Sequence, residues 1–443
     1  MMRLQSDVLV RHLYNLLIRV VAPLAFLFEL WRGLRDPSYR ERRSERLGLG
    51  AALQQDSIWV HAVSVGEVQA SAPLVRELIA SHPGTPVVMT TVTPTGAARC
   101  RLLFGDKVQH RFVPLDMPGA VARFFDRVRP RVAIIIETEL WPNLYAECGR
   151  RGVPLVLASA RISPRSVRRY RRLVPLFRET LSHGIVIAAQ SEADAQRFLS
   201  IGANPARTHV TGNIKFDFQL QDDVRAKGGA WRRDQAAERP VWVAGSTHEG
   251  EESILLEAHA ALRRTRPDAL LVLVPRHPGR FAEVGQLLDR RGVGWVGRAG
   301  GAGVTPGVQV LLGDTMGELM TFYAAADVAF VAGSLVPVGG HNLLEPAALG
   351  KPILTGPYNF NGEDIFQKLL EAGAVTVTAD AEALGARLTS LLGDAGARRE
   401  QGARGLEVLE ANRGAMRRLL ALVEPLLDPA SGGIAASRKG GAA

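Results

Sequence analysis

Two series of short apolar runs, each alternating with amphipathic stretches, constrain this chain more than any other feature. In the first half, residues 58–63, 87–91, 132–136, 153–158 and 185–189 read as strands, and 70–81 and 120–128 carry a helical period. Residues 241–244, 269–274, 308–311, 328–331 and 352–354 repeat the plan in the second half. Short, mostly apolar strands alternating with helices belong to a parallel sheet covered on both faces, and the intervening helices supply the cover. The pattern predicts an α/β protein of two doubly wound, Rossmann-like domains in series, with a cleft between them. A length of 443 residues likewise exceeds one typical core.

The boundary is expected between Phe218 and Pro240, a polar stretch with Gly228-Gly229 and no apolar period. The domains then run 36–218 and 241–428, with 219–240 as linker. Residues 400–427 have a helical period, and the Gly/Ala/Ser-rich tail 429–443 reads as disordered.

Fifty-four basic against 44 acidic residues leave a net charge of +10. A nucleic acid, an anionic membrane or a phosphorylated substrate would each suit that balance. No zinc-finger, RNA-recognition or homeodomain pattern accompanies it, so nucleic acid is not expected as a partner. The densest basic run holds Arg161, Arg165, Arg168, Arg169, Arg171 and Arg172. Cys100 and Cys148 have no metal-ligand spacing and suit a reducing, cytoplasmic setting.

Residues 13–31 are mostly apolar, but Arg19, Pro23 and Glu29 interrupt them, and 20–28 is too short for a full span. Basic residues crowd 32–46, which keeps that flank cytoplasmic by the positive-inside rule. Residues 1–35 therefore read as a membrane-associated helix, either a single anchor or an interfacial helix. A helix packed on the enzyme also fits.

Several segments pair polar groups with strand ends, where α/β domains gather ligands. Val338-Gly339-Gly340-His341-Asn342-Leu343-Leu344-Glu345-Pro346 follows the apolar run 327–332. Its glycines let backbone approach a ligand, and a helix start after them would favour an anion. Asn342 and Glu345 are expected on one face of the first turn. Ser64-Val65-Gly66-Glu67 follows the first strand and places Glu67 at a helix start, where it serves either as a mild base or only the helix dipole. Glu137 and Glu139 follow 132–136, and strand alternation would turn both to one face. Arg276 and His277 end another strand and suit a phosphate. Ser246, also at a strand end, is a further phosphate donor. His110, His183 and His209 are isolated and read as structural.

These segments, with Glu137-Thr138-Glu139-Leu140-Trp141-Pro142, Gly212-Asn213-Ile214-Lys215-Phe216-Asp217, Ala244-Gly245-Ser246-Thr247-His248 and Val274-Pro275-Arg276-His277-Pro278, resemble in order the 3-deoxy-D-manno-octulosonic acid (Kdo) transferases. The resemblance runs from about Tyr39 to about Glu371. It implies a GT-B glycosyltransferase with CMP-Kdo as donor and a lipid A precursor, lipid IVA, as acceptor, at the cytoplasmic leaflet of the inner membrane. It implies Glu67 as catalytic base, with Glu137 and Lys215 completing the catalytic set. It assigns CMP binding to Pro275, Arg276, His277, Met316, Gly317, Glu318, Asn342, Leu343, Leu344 and Glu345; Glu139 and Trp141, to which it gives no catalytic role, read as scaffolding. An inverting reaction without metal or other cofactor is expected. The alternatives are a nucleotide-sugar epimerase of the same fold and a non-catalytic, membrane-attached nucleotide-binding protein.

Overall fold

The computed structural model describes residues 2–170, 174–181 and 184–428. Arg171, Arg172 and His183 lie outside the described residues, as does the side chain of Arg169 and the tail for which disorder is expected. Two compact units emerge, one ending at Lys215 and resuming at Arg413, the other spanning Phe216–Asn412.

The first unit is built on seven parallel strands: β1 Ser57–His61, β2 Val87–Thr91, β3 Val108–Phe112, β4 Pro130–Ile136, β5 Leu155–Ala160, β6 Val186–Ala189 and β7 Thr208–Val210. Their order is β3-β2-β1-β4-β5-β6-β7, so the chain reverses its direction of travel between β1 and β4. Alternate residues feed opposite faces. Ile58, Val60, Val132 and Ile134 join one core, and Trp59, Ala133 and Ile135 the other. This two-sided burial is why the central strands are mostly apolar, their buried polar residues lying at strand ends, as Ser57, His61 and Thr91 do. β3 and β7 escape the apolar pattern because they are edge strands, with exposed Gln109, His209 and Val210.

The second unit repeats the plan with β8 Val241–Thr247, β9 Leu270–Pro275, β10 Trp295–Gly297, β11 Val310–Leu312, β12 Val328–Val331, β13 Ile353–Thr355 and β14 Val375–Val377. Their order is β10-β11-β9-β8-β12-β13-β14, all parallel. Val243 and Val272 enter one core, while Ala244 and Leu273 enter the other.

The expected linker carries a helix, Val224–Ala236, packed within the second unit. Val224 and Trp231 enter its core, and Trp231 meets Phe322 edge-on at 5.7 Å. Gly228 lies between them because a Cβ there would strike Ala324 at 2.4 Å. A glycine at the packing point hid the apolar period. The expected 400–427 helix is likewise two, Ala395–Ala411 and Ala415–Leu427, broken at Gly414 with φ +87°. The break is also a change of unit. Ala415, Leu419, Val423 and Leu427, one stripe at four-residue spacing, pack into the first unit's core.

Candidate functional site

In the first unit, chemistry collects at the carboxyl ends of β1, β4 and β5. Ser64 caps the helix Val65–Ser81. Glu67 in its first turn reaches back, its Oε2 accepting the Val63 N–H at 2.7 Å and its Oε1 the Ser64 hydroxyl at 3.0 Å. The Glu67 N–H in turn donates to the Ser64 hydroxyl, a variant of the capping box in which the carboxylate reaches one residue beyond the cap. Burial nevertheless pushes the Glu67 carboxyl up to about 7, and the charges of Glu137 and Glu139 add to the rise against those hydrogen bonds. A carboxyl raised into that range can exchange a proton near neutrality, a property that a helix-dipole partner does not need.

Glu137 does not continue β4. Its φ of +61° is left-handed, a conformation that costs a non-glycine residue about 1–3 kcal/mol and clusters at functional sites. Strand alternation thus fails as the reason the two carboxylates are neighbours. The kink instead aims Glu137 at Lys215, with Oε1 to Nζ at 2.7 Å. Lys215 sits in the 3₁₀ turn Ile214–Asp217, its N–H held by the Asn213 side chain at 3.0 Å. Glu139 accepts from the Trp141 indole at 2.7 Å and is raised by burial. Below it, buried Asp116 accepts the N–H groups of Asn143 and Leu144 at 3.0 and 2.9 Å, fixing the start of the helix Pro142–Arg151. Burial lifts that carboxyl to about 6.

In the second unit, the ends of β8, β9 and β12 carry a different set. Arg276 follows β9, its N–H bonded to the Thr247 carbonyl at 3.0 Å. Among the described residues its half-buried guanidinium has no hydrogen-bond or ion-pair partner. Exposed His277 lies beside it, 5.6 Å ring to ring from His248. Ser246 takes a left-handed φ of +63° at the irregular end of β8.

The glycine turn departs from expectation. The N–H groups of Gly339 and Gly340 both donate to the Gly333 carbonyl, at 3.0 and 2.7 Å, so they close the turn internally. A Cβ at Gly340 would meet the Asn359 side chain at 2.6 Å. These glycines are packing elements. The helix behind them, Leu344–Ala348, is a single short turn, and Asn342 precedes it. Asn342 still meets Glu345, its Nδ2 donating at 3.2 Å, while its Oδ1 accepts the Leu344 N–H. Pro275, Leu343 and Leu344 lie in the frame, with Leu343 and Leu344 buried in the core. Glu318 is engaged bidentately by Arg298, at 2.8 Å in the closest contact, and by the Thr315 hydroxyl. Met316 stays exposed, and Gly317 has φ +86°.

Sequence reading missed three groups here. His248 and His341 stack 5.1 Å apart with their Nε2 atoms 2.9 Å from each other, and burial lowers both, His341 to about 4. Glu251, fully buried, accepts the N–H groups of His248, Gly333, Ser334 and Leu335 at 2.8–3.0 Å. Glu252 beside it holds Thr247 and Arg280. Consecutive glutamates at a helix start look like dipole partners. Only the return of β12 beside β8 turns Glu251 into a clamp.

Elsewhere, His110 is held by Arg42 at 2.7 Å and Thr91 at 2.9 Å, a structural role. Cys100 and Cys148 are buried and free.

Residues 41–218 match the 3-deoxy-D-manno-octulosonic-acid transferase (kdotransferase) family, and 252–408 match the group 1 glycosyl transferases. A 3-deoxy-D-manno-octulosonic acid transferase of Haemophilus influenzae is 41% identical over 422 residues, 94% of this chain and 99% of the relative. Its counterpart in Bordetella pertussis is 39% identical over 94% of this chain and 99% of the relative. The solved UDP-GlcNAc 2-epimerase of Neisseria meningitidis shares the fold at 16% identity, with a TM-score of 0.55 over 84% of this chain and all of the other. The architecture is that of the two-domain GT-B enzymes.

Proposed function

The chain belongs to the Kdo transferase family, glycosyltransferases of lipopolysaccharide biosynthesis, and from that premise we propose how its residues divide the reaction. The donor is CMP-Kdo, held on the second unit. Arg276 takes the phosphate, because a guanidinium with no hydrogen-bond or ion-pair partner among the described residues is available for a charge-assisted, bidentate contact. His277 adds a second donor beside it. Met316 and Gly317 offer backbone to the cytosine edge, since the Glu318 carboxylate is already committed to Arg298. Asn342 and Glu345 line the sugar side of the turn.

The acceptor is a lipid A precursor, lipid IVA, approached from the first unit. Glu67 removes the proton from the attacking hydroxyl. The oxygen forms its bond to the anomeric carbon of Kdo as the bond to the CMP phosphate breaks, with inversion. CMP departs as a phosphate monoester that needs no proton, so cationic groups suffice to stabilise it and no metal is required. Lys215, oriented by Glu137, stabilises charge developing on the donor. The observation that carries this reading is the carboxyl of Glu67, raised to about 7 beside the Glu137–Lys215 pair. Binding an anionic ligand gains nothing from buried carboxylates, which disfavours a purely binding role. The reaction takes place at the cytoplasmic face of the inner membrane, with residues 1–35 as the attachment.

Labelled CMP-Kdo incubated with lipid IVA tests the scheme. Label in the lipid fraction with release of CMP supports it. Label recovered only as an isomerised sugar nucleotide would point to epimerisation, and unchanged donor would reject transfer from CMP-Kdo.

A further inference from the structure

The N-terminal helix, Met2–Arg35, includes one stretch, Arg11–Arg35, long and apolar enough to cross a bilayer. Its packing argues for another seat. Leu13, Leu16, Leu17, Val20, Val21, Leu24, Leu27, Phe28, Trp31 and Leu34 are all exposed. At 100° per residue they form one stripe roughly 140° wide. Residues on the opposite side of the helix meet the first unit. Ala22 and Gly33 are buried there. The Tyr14 hydroxyl donates to buried Asp116 at 2.7 Å, Glu29 pairs with buried Arg46 at 3.2 Å, and the Gly33 carbonyl accepts from Arg40 at 2.6 Å. Tyr14 and Glu29 are about 22 Å apart along a helix, so the helix is fastened lengthwise to the domain.

Resting on the membrane-enzyme reading above, we propose that this helix lies in the plane of an anionic leaflet, with its exposed stripe in the acyl boundary, and does not span the bilayer. A spanning helix would stand along the membrane normal, and a domain fastened to it over that length would have to enter the hydrocarbon. Arg19 would then sit near mid-membrane, where a charge is expensive. In the plane that cost vanishes, because Arg19 is exposed and snorkels to the headgroups. Charge selects the occupant. Exposed Arg19, Arg32, Arg35 and Arg40 flank the stripe, and such residues contribute about 1 kcal/mol each near an anionic surface. Arg35 stacks on Trp31 at 4.3 Å and Arg32 on Tyr39 at 4.2 Å, an aromatic and basic edge suited to the headgroup level.

Leu13, Val20, Leu27 and Leu34 recur every seven residues on the stripe, with exposures of 65, 61, 58 and 73%. Each is changed singly to Cys in the full chain and labelled with a fluorophore; the native cysteines are buried. The probes are vesicles of phosphatidylethanolamine and phosphatidylglycerol carrying lipids brominated at graded acyl depths. In-plane seating gives one shallow depth at all four positions, and Ile18→Cys on the packed side is quenched less than any of them. A spanning helix advances about 10 Å per seven residues, so depth would rise to a maximum at Val20 or Leu27 and fall again, which overturns the proposal. No quenching at any position also overturns it, and sedimentation would then tell whether a second copy covers the stripe. Kdo transfer to detergent-dispersed acceptor is measured on the same variants. A flat depth profile without transfer would sink the catalytic reading and leave the topology standing, and the reverse pair of results would do the opposite.

Discussion

The two units share an architecture and oppose each other in chemistry. Both gather polar groups at the carboxyl ends of central parallel strands, where helices and strands diverge. The first unit places three glutamates there, and burial raises two of them, Glu67 and Glu139. The second places Arg276 among three histidines, of which burial lowers His248 and His341. One fold thus carries a carboxylate cluster and an arginine–histidine cluster, and the difference lies in side chains, not in topology.

The sharpest way to break that contrast is to neutralise the base. Glu67→Gln should lower transfer about 10²–10⁴-fold while CMP affinity, measured by calorimetry, stays at the parent value. A joint loss of both would erase the division of labour. The parent's acid limb in kcat/KM should lie near pH 7. Since the folded carboxyl is raised above its unfolded value, its contribution to stability is full below about pH 4.5 and lost as pH rises towards 7. Thermal melts of Glu67→Gln should lack that component, and an identical pH dependence in the two proteins would contradict it.

Arg276→Ala should weaken CMP binding by about 1.5–3 kcal/mol, with the first unit's melting unaffected. Unchanged affinity removes Arg276 from the donor site. Glu251→Gln should cost about 1–3 kcal/mol, because an amide NH₂ would confront backbone N–H groups that now share a carboxylate. Its signature is looser CMP binding together with faster hydrogen exchange at Gly333–Leu335. Exchange confined to other segments would reject the clamp.

Glu137→Gln removes a charge that raises Glu67, so the acid limb should move to lower pH even as transfer declines. A shift to higher pH would show that Lys215, released from its partner, does not stay in place. The smallest effect is expected at His82, whose ring meets half-exposed Glu424 at 2.9 Å on the closing helix. His82→Ala should change stability by less than about 1 kcal/mol, since that helix is held by Leu419 and Val423 in the core. A larger loss would mean the closing helix depends on its end contact.

Legibility followed burial. Central strands such as β4 and β9 announce themselves because both faces are covered and runs such as 132–136 and 270–275 are apolar throughout. The edge strands β3 and β7, and the helix around Gly228, were hidden by polar or missing side chains whose partners are far away in sequence. Glu67 and Arg276 stand out as polar residues at the ends of apolar runs. The His248–His341 contact, 93 residues apart, has no local signal.

The sequence by itself determined two doubly wound units, the strand ends where chemistry would gather, and the residue types available there, because periodicity and burial are local properties of the chain. Tertiary structure alone decided what those residues became. The left-handed kink at Glu137 points it at Lys215, and buried surroundings raise Glu67 to about 7. The Gly333 carbonyl takes the glycine N–H groups that would otherwise face an anion. Proton affinity and hydrogen-bond partnership depend on what surrounds a group in space, and neighbours in space are set by the packing of distant segments.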